Sequence, residues 1–440
     1  MFVRIIFLAV CGALFSLGAA EFRLGVAGVD ITPDYAVRLS GYAARKIESE
    51  GVRLPIKAKA AAISDGKITA LLMTVDNCGL PRPMWSEIVG RIEGQHSIPA
   101  EGVVIFSSHT HSAPALAGAI NNLFIGKLPE DQQAKVDRYT RELKDKLVLL
   151  AGAALKELQP ARIYFGKGSV DFAKNRRTAG GPVDHDLPVL MARGPDGKAK
   201  MVLANYACHC TTLAHNYIHG DWAGTAQAAL EGAIPGVTAM VSIGCGADSN
   251  PSPRGTVENA VAHGEELARE VQRVLGNTLK EITAEIETRA EDFELPFDPL
   301  PSREEWEKRA KEEGIVGYHA RQNLERLERG ETLPTTLPYR VQTWNFGDQL
   351  AMVFLPGEVV VDYVLRLKEE FDPDRLWVSA YANWVPCYIP SVRILREGGY
   401  EAESSLWYYA RPAGPSTKTE NLILDAVREQ LPNSFRVAEK

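Results

Sequence analysis

The chain has 440 residues, which is enough for one large domain or two ordinary ones. Its composition, 45% hydrophobic and 24% charged, is typical of a globular protein. The net charge of −7 gives no electrostatic support for binding to nucleic acid, so we exclude that class of function.

The first residues predict export. Arg4 precedes an apolar run from Ile5 to Leu17, and the small residues Gly18, Ala19 and Ala20 follow. This is the pattern of a secretory signal peptide. The run is shorter than the ~20 apolar residues that a transmembrane helix needs, and no later segment is long and apolar enough to span a membrane. We therefore expect residues 1–20 to be removed and the mature protein to be secreted or periplasmic; a retained N-terminal anchor is the alternative.

Strands and helices are both predicted along the rest of the chain. The runs that read as strands are, in chain order, Leu24–Val29, Ala58–Ile63, Ala70–Val75, Val103–Ser107, Ala161–Phe165, Val189–Ala192, Met201–Tyr206 and Ala239–Ile243. The runs that read as helices are Gln132–Leu158, Val257–Leu275, Val359–Glu370 and Lys418–Gln430. This mixture predicts an α/β or α+β fold, with residues 21–440 forming a single catalytic domain built on mixed sheets.

A charged segment at about residues 302–332 interrupts this pattern. Arg303–Glu331 is dense in Glu, Arg and Lys and has few large apolar residues. We expect an exposed, salt-bridged helix inserted between core strands. A docking surface is the alternative interpretation.

The strongest chemical signal follows the predicted strand Val103–Ser107. His109 and His111 are two residues apart, so in an extended backbone their side chains would point the same way. Imidazole is a good zinc ligand, and ligand pairs are often closely spaced. A pair of hydrogen-bonded polar histidines is the alternative, because the spacing alone is weak evidence.

A second histidine cluster begins at the end of the strand Met201–Tyr206 and includes His209, His215 and His219. Catalytic zinc commonly takes three protein ligands and keeps one position for water. The histidines alone do not identify the remaining ligands. We expect Cys208 and Cys210, which flank His209, to be small buried residues rather than a disulfide or a thiolate metal site.

A third polar segment follows the strand Ala239–Ile243. Gly244-Cys245-Gly246 permits close backbone approach, and Asp248, Ser249 and Asn250 add polar groups. A serine nucleophile needs a base within hydrogen-bond reach. A tight turn capped by Asp and Asn is an equally good interpretation.

Together these segments resemble the neutral, non-lysosomal ceramidase family. The resemblance rests mainly on the motif His109-Thr110-His111-Ser112-Ala113-Pro114. The segments Gly25–Pro33 and Gly41-Tyr42 also resemble the N-terminal part of family members. The resemblance runs in order from Leu24 to about Tyr409. It implies a zinc-dependent amidohydrolase with its metal site at strand ends.

The resemblance also implies roles for particular residues. Zinc would be held by His109, His209, Glu358 and Tyr388. Four other residues would act on the substrate or its protons: His111 as a proton carrier, Tyr400 and Arg176 (beside Asn175) by stabilising negative charge, and Asn250 as a substrate contact. Zinc would lower the pKa of its bound water toward ~7 and polarise the carbonyl.

Two departures from the family limit what the resemblance implies. Family members carry a serine where Asn250 stands, and Ser249 lies one position early. If that register holds, zinc-activated water attacks without a serine nucleophile. We also expect no C-terminal β-sandwich domain of the kind that is usual in ceramidases, which weakens the expectation that ceramide itself is the substrate.

The expected function is therefore hydrolysis of an N-acyl amide, either a sphingolipid such as ceramide or a related amide, with peripheral contact to membrane lipid. Two alternatives remain open. One is a zinc hydrolase of another ester, amide or sugar derivative. The other is a non-catalytic binding protein that retains the metal.

Overall fold

The computed structural model describes residues 21–277 and 279–437; the predicted signal peptide, residues 1–20, lies outside them. The strands are β1 (Arg23–Asp30), β2 (Lys57–Ser64), β3 (Thr69–Val75), β4 (Val103–Ser107), β5 (Gln159–Pro160), β6 (Arg162–Ser169), β7 (Ala173–Asn175), β8 (Asp186–Arg193), β9 (Ala199–Tyr206), β10 (Thr238–Ile243), β11 (Ser249–Pro251), β12 (Lys280–Ile282), β13 (Ile286–Pro296), β14 (Thr336–Phe346), β15 (Leu350–Phe354), β16 (Glu358–Val359), β17 (Leu376–Ser379) and β18 (Tyr388–Ile389). The α-helices are α1 (Arg82–His96), α2 (Glu130–Lys156), α3 (Asp221–Ala233), α4 (Val257–Gly276), α5 (Arg303–Arg309), α6 (Gly314–Glu328), α7 (Asp362–Glu370), α8 (Val392–Glu397), α9 (Ser405–Tyr408) and α10 (Thr419–Gln430).

The first sheet has the strand order β4-β3-β2-β1-β5 and is covered on one face by α1 and α2. Its strands pair antiparallel except for β3 and β4, which are parallel. Side chains of a strand alternate between the two faces of its sheet. In β2, Ala58, Ala60 and Ala62 pack toward the helices, whereas Ala61 and Ile63 pack on the opposite face. Burial on both faces explains why Ala58–Ile63 is apolar except for Lys59, which is buried and pairs with Glu231 at 2.6 Å.

The second sheet repeats this arrangement on the other side of the molecule. Its order is β10-β9-β8-β6-β12, with β9 and β10 parallel. Helices α3 and α4 pack on its outer face. A third, separate sheet has the strand order β13-β14-β15-β17.

The inner faces of all three sheets share one apolar core. Phe106 of β4 and Trp344 of β14 both contact Phe354 of β15, with ring centroids 5.6 and 5.4 Å apart. Phe165 of β6 lies 6.4 Å from Trp377 of β17. This packing fixes the sheets against one another, so segments that follow different strands can meet at one place.

The charged segment differs from its prediction in two respects. It forms two helices, α5 and α6, between the paired strands β13 and β14, rather than one. Ion pairs such as Arg303–Glu307 line the surface as expected. However, Trp306 is only 1% exposed and forms a small core with Ala320 and Leu333. Sparse apolar residues at helical spacing were sufficient to give the insertion its own core.

The predicted class, a fold of mixed α and β elements with mixed sheets, is confirmed. Helices α1 and α3 and strands β13–β15 were not recognised in the sequence. The predicted helix Val359–Glu370 begins later, at Asp362, because Val359 belongs to strand β16 and pairs with Ile389. Within the described residues, no helix combines the length and the apolar character needed to cross a bilayer.

Candidate functional site

Two histidines lie at adjacent strand ends. His109 follows β4 and His209 follows β9, and their ring centroids are 4.8 Å apart. His109 has φ +57°, in the left-handed region that residues other than glycine rarely adopt. Such backbone strain is found where the surrounding structure imposes a particular side-chain direction. Here it turns the imidazole of His109 toward that of His209.

A short parallel ribbon supplies the other two residues. Strands β16 and β18 pair in a register that sets Glu358 directly opposite Tyr388. Gly357, which precedes Glu358, has φ +92°, and a Cβ there would lie 2.8 Å from a side-chain atom of Ile389. Only glycine therefore allows the two strands to approach closely enough for this register.

These four side chains converge. His109 Nε2 and His209 Nε2 lie 3.1 and 3.0 Å from the same carboxylate oxygen, Oε2 of Glu358. The hydroxyl of Tyr388 lies 3.2 Å from His209 Nε2. All four side chains are buried. The structure therefore brings together the four residues that the family resemblance implied as metal ligands.

Backbone carbonyls orient both imidazoles. His109 Nδ1 is 2.7 Å from the carbonyl oxygen of Cys78, and His209 Nδ1 is 3.0 Å from that of Gly246. Each Nδ1 therefore acts as the donor, which directs both Nε2 atoms toward Glu358. Gly246 can approach Ala207 because it has no Cβ. A Cβ at this position would lie 2.4 Å from the backbone of Ala207. The small residues of Gly244-Cys245-Gly246 thus serve close backbone packing beside His209.

The buried charge of Glu358 dominates the electrostatics. Burial opposes ionisation of this carboxyl, but the two imidazoles hold its pKa well below the usual range. Burial alone would lower the pKa of His109, yet Glu358 and Cys78 raise it to about 10. Burial and the charge of Arg176 lower the pKa of His209 to about 4. The cluster therefore favours one positive charge beside the carboxylate.

The donor set fits a metal cation. His109, His209 and Glu358 each offer one ligand atom, and these atoms all lie within 4.8 Å of one another. Two ligands of a tetrahedral zinc ion, each about 2.0–2.1 Å from it, are roughly 3.3 Å apart, close to the separations found here. Imidazoles whose second nitrogen binds a backbone carbonyl are the usual form of histidine ligands.

His111 lies at the edge of this cluster. Its Nε2 is 3.1 Å from Nε2 of His109, although the backbone of His109 is left-handed, with φ +57°, rather than extended as assumed from the spacing. Burial and the charge of His109 hold the pKa of His111 well below its usual value. The imidazole packs edge-on against Tyr42 and directly over Gly41, where a Cβ would lie 2.2 Å from its ring.

Arg176 approaches the cluster from the opposite side. It follows β7, donates to the Tyr388 hydroxyl at 3.1 Å and forms an ion pair with Glu401 at 2.7 Å. Its guanidinium carbon lies 5.4 Å from the ring centroid of Tyr400, which is 45% exposed. Burial opposes the charge, but Tyr388 and Glu401 raise the pKa of this guanidinium, so it stays protonated.

Ser249 and Asn250 lie in β11, away from the lining of the site cavity. The hydroxyl of Ser249 is buried and has no hydrogen-bond partner among the described residues, whereas its carbonyl accepts the His209 N–H at 2.9 Å. Asn250 Oδ1 lies 3.4 Å from the Thr211 hydroxyl. The segment thus supports the backbone around His209, and the proposed roles of both side chains remain predictions.

A cavity of about 290 Å³ opens onto His109, His111, Glu358 and Tyr388. Its remaining walls are tyrosines and small or aliphatic residues, namely Gly41, Tyr42, Ala43, Ala44, Ile120, Leu123, Tyr400, Tyr408 and Tyr409. The sequence analysis did not identify Tyr409, whose hydroxyl donates to Oε1 of Glu358. No local pattern marks it, because an aromatic pair such as Tyr408-Tyr409 is equally typical of an ordinary core.

Comparisons with known proteins agree on the fold. A sequence profile described as "neutral/alkaline non-lysosomal ceramidase, N-terminal" matches residues 22–244. The crystal structure of a neutral ceramidase from Pseudomonas aeruginosa superposes with a TM-score of 0.73 at 19% identity, covering 96% of this chain and 76% of that one. A structure described as "ceramidase complexed with C2" gives a TM-score of 0.73 at 18% identity, covering 94% and 76%. None of the curated proteins compared with the chain matches it.

Replacing Gly41 by alanine should displace His111. The new Cβ would overlap the imidazole and would also force an alanine to adopt φ +84°. Gly66→Ala is the matched control, since Gly66 has φ +88° with nothing within 4 Å. We expect Gly66→Ala to lower the free energy of unfolding by ~1–2 kcal/mol through backbone strain. Gly41→Ala should lower the free energy of unfolding by at least ~1 kcal/mol more than Gly66→Ala does, because of overpacking. Urea unfolding measures both; equal losses would show that His111 is not held against Gly41.

Proposed function

This chain belongs to the neutral/alkaline non-lysosomal ceramidase family, and we propose that it is a zinc-dependent hydrolase that cleaves the amide bond of an N-acyl lipid or a related small amide. One observation carries the proposal. Side chains from distant segments converge: His109 and His209 contact one buried carboxylate oxygen of Glu358, and the Tyr388 hydroxyl lies 3.2 Å from His209 Nε2.

The metal and the chain would have separate tasks. When bound, zinc lowers the pKa of a coordinated water and polarises the substrate carbonyl. His109, His209, Glu358 and Tyr388 would hold the ion. Tyr409 would keep the Glu358 carboxylate in place through its hydroxyl. Removing an outer hydrogen bond of this kind typically lowers metal affinity or activity by about 10–100-fold.

His111 is proposed to move the proton. Its Nε2 lies 3.1 Å from Nε2 of His109, where an imidazole can accept a proton beside the cluster. Arg176 lies beside the cluster, where its guanidinium donates to the Tyr388 hydroxyl at 3.1 Å. Arg176 and Tyr400, which lines the cavity, would stabilise negative charge that develops on the carbonyl oxygen.

The cavity walls support an acyl substrate. Ile120, Leu123 and the tyrosine rings offer apolar surface, and the tyrosine hydroxyls offer a few polar contacts. This mixture is typical of sites that bind small ligands with a defined orientation. The volume of about 290 Å³ is at the lower end for such sites, which favours a short acyl group over a long one held wholly inside.

We also propose that residues 21–440 form one exported catalytic domain carrying the helical insertion at about 302–332. The signal-peptide pattern before Glu21 supports export. Expression with the complete N-terminus in a bacterial host should give a periplasmic or secreted protein whose mass corresponds to a chain beginning at Glu21. Recovery of the protein with residues 1–20 still attached would contradict cleavage.

His209→Ala should remove the zinc and the activity while the fold is retained. The variant loses one ligand, whereas the strands around it keep their packing. We expect metal analysis to give stoichiometric zinc for the wild type and none for the variant, with turnover reduced by several orders of magnitude and an unchanged circular dichroism spectrum. His96→Ala, at the end of α1 and outside the site, is the control.

Metal analysis of the wild type, combined with assays on a panel of N-acyl amides, esters and acylated sugars, separates the alternative functions. Zinc together with chelator-sensitive hydrolysis of N-acyl amides supports the proposal, and a preference for esters or acylated sugars would identify another hydrolase. Stoichiometric zinc without turnover on that panel would indicate a binding protein. Stoichiometric zinc in His209→Ala would contradict the ligand assignment itself.

Ser249→Ala should keep most of the activity. The Ser249 hydroxyl is buried, has no hydrogen-bond partner among the described residues and does not line the cavity. A steady-state assay of the variant measures the effect. A fall in kcat by several orders of magnitude, with zinc retained, would instead support a serine nucleophile.

A further inference from the structure

Arg45 is a buried arginine at the edge of the metal cluster. It is only 7% exposed, and it forms no ion pair with a carboxylate in the part of the chain that is described. Burial lowers the pKa of its guanidinium to about 10, so the group stays charged at neutral pH. A buried charge costs free energy unless polar groups replace the water it has lost. The groups that replace this water therefore indicate what Arg45 does.

Backbone carbonyls take the place of a carboxylate partner. Nη1 of Arg45 donates to the carbonyl oxygens of Ser40, at 2.7 Å, and of His111, and Nη2 donates to that of His215 at 2.7 Å. The three acceptors belong to separate segments, namely the loop before Arg45, the segment that follows β4 and the loop that follows β9. The forked guanidinium is suited to this task, because its donors point in several fixed directions. Arg45 thus ties the backbone of His111 to two neighbouring loops.

Arg45 also holds the aromatic ring that packs against the imidazole of His111. Its guanidinium carbon lies 4.8 Å from the ring centroid of Tyr42, and that centroid lies 4.7 Å from the centroid of the His111 ring in an edge-on arrangement. A cation over an aromatic face is attracted to it. The backbone N–H of Arg45 donates to the carbonyl of Tyr42 at 3.3 Å. His111 is therefore restrained by Arg45 both through its own backbone and through Tyr42.

Arg45 acts from outside the site cavity. The preceding loop, Gly41–Ala44, lines the cavity, whereas Arg45 does not. A substrate in the cavity would therefore meet the imidazole of His111 and this loop rather than the guanidinium. The carbonyl of Arg45 accepts a hydrogen bond from Nη2 of Arg38 at 2.6 Å, so the guanidinium belongs to a fixed part of the backbone. Any effect of Arg45 on the reaction has to pass through the residues that it holds.

We propose that Arg45 is a positioning residue for His111: it holds the imidazole beside His109, where His111 moves a proton at the cluster. Without the guanidinium, the His111 carbonyl loses its donor and the Tyr42 ring loses the cation beside it. The approach of His111 Nε2 to within 3.1 Å of His109 Nε2 is then no longer enforced. The kinetic consequence rests on the proposed function, whereas the position of the imidazole is measured without turnover.

The position of His111 is measured first, by nuclear magnetic resonance. The complete protein is labelled with carbon-13 at Cε1 of its nine histidines, and spectra are recorded both as purified and after chelation of metal. The signal that is missing from His111→Ala is that of His111. We expect Arg45→Gln to shift or broaden this signal, because the ring leaves its fixed place beside Tyr42. The signals of His263 in α4 and His319 in α6 should stay unchanged.

Kinetics on an N-acyl amide then test the consequence. We expect Arg45→Gln to lower kcat about 10- to 100-fold, as a displaced catalytic group does, with stoichiometric zinc retained. In a protein that already carries His111→Ala, the same substitution should change kcat by no more than about twofold, because the group that Arg45 positions is gone. Arg375→Gln is the matched control and should leave both kcat and the His111 signal unchanged. Arg375 likewise donates to two backbone carbonyls, those of Asp348 and Ser434 at 2.7 and 2.9 Å, but does not line the site cavity.

If Arg45→Gln does not fold, Arg45→Lys replaces it in both measurements. Lysine keeps the charge but lacks the fork, so we expect the same change in the His111 signal and a loss of kcat in the same direction. An unchanged His111 signal with kcat within about twofold of the wild type would overturn the inference, and so would an equal loss of kcat with and without His111. A His111 signal that depends on Arg45, together with full activity of His111→Ala, would overturn the proposed role of His111 in proton transfer and leave its positioning by Arg45 standing.

Discussion

The buried carboxylate of Glu358 is the interaction on which the rest of the site depends. An ionised carboxylate removed from water costs several kcal/mol unless nearby groups compensate for the lost hydration. Here the compensation comes from two imidazoles on one oxygen and the Tyr409 hydroxyl on the other. The same demand for positive charge makes the cluster suitable for a divalent cation.

Close backbone contacts make this arrangement possible. Gly246 and Gly357 stand where a Cβ would overlap a neighbouring strand or turn, and His109 adopts a left-handed backbone conformation. The carbonyls of Cys78 and Gly246 then set the directions of the two imidazoles. The three-sheet core holds these turns in place, so rigid packing offsets local strain at the site.

Tyr409 lines two cavities of the molecule. Its hydroxyl fixes the carboxylate of the metal cluster, and its ring forms a wall shared with the cavity lined by Arg82 and Arg411. Ile120 is the other residue that lines both cavities.

The sequence by itself determined the mixed α and β character, the strands that precede both histidines and, through the family motif, which four distant residues to consider as ligands. Only the tertiary structure decided that those residues meet, because register, as in Glu358 opposite Tyr388, depends on pairing between strands far apart in the chain. The same limit explains why Tyr409 and the cavity beside Arg82 were not foreseen. The periodicity of apolar residues indicates which residues are buried. It does not indicate which helices and strands pack together, and that packing decides the partners of a buried polar group.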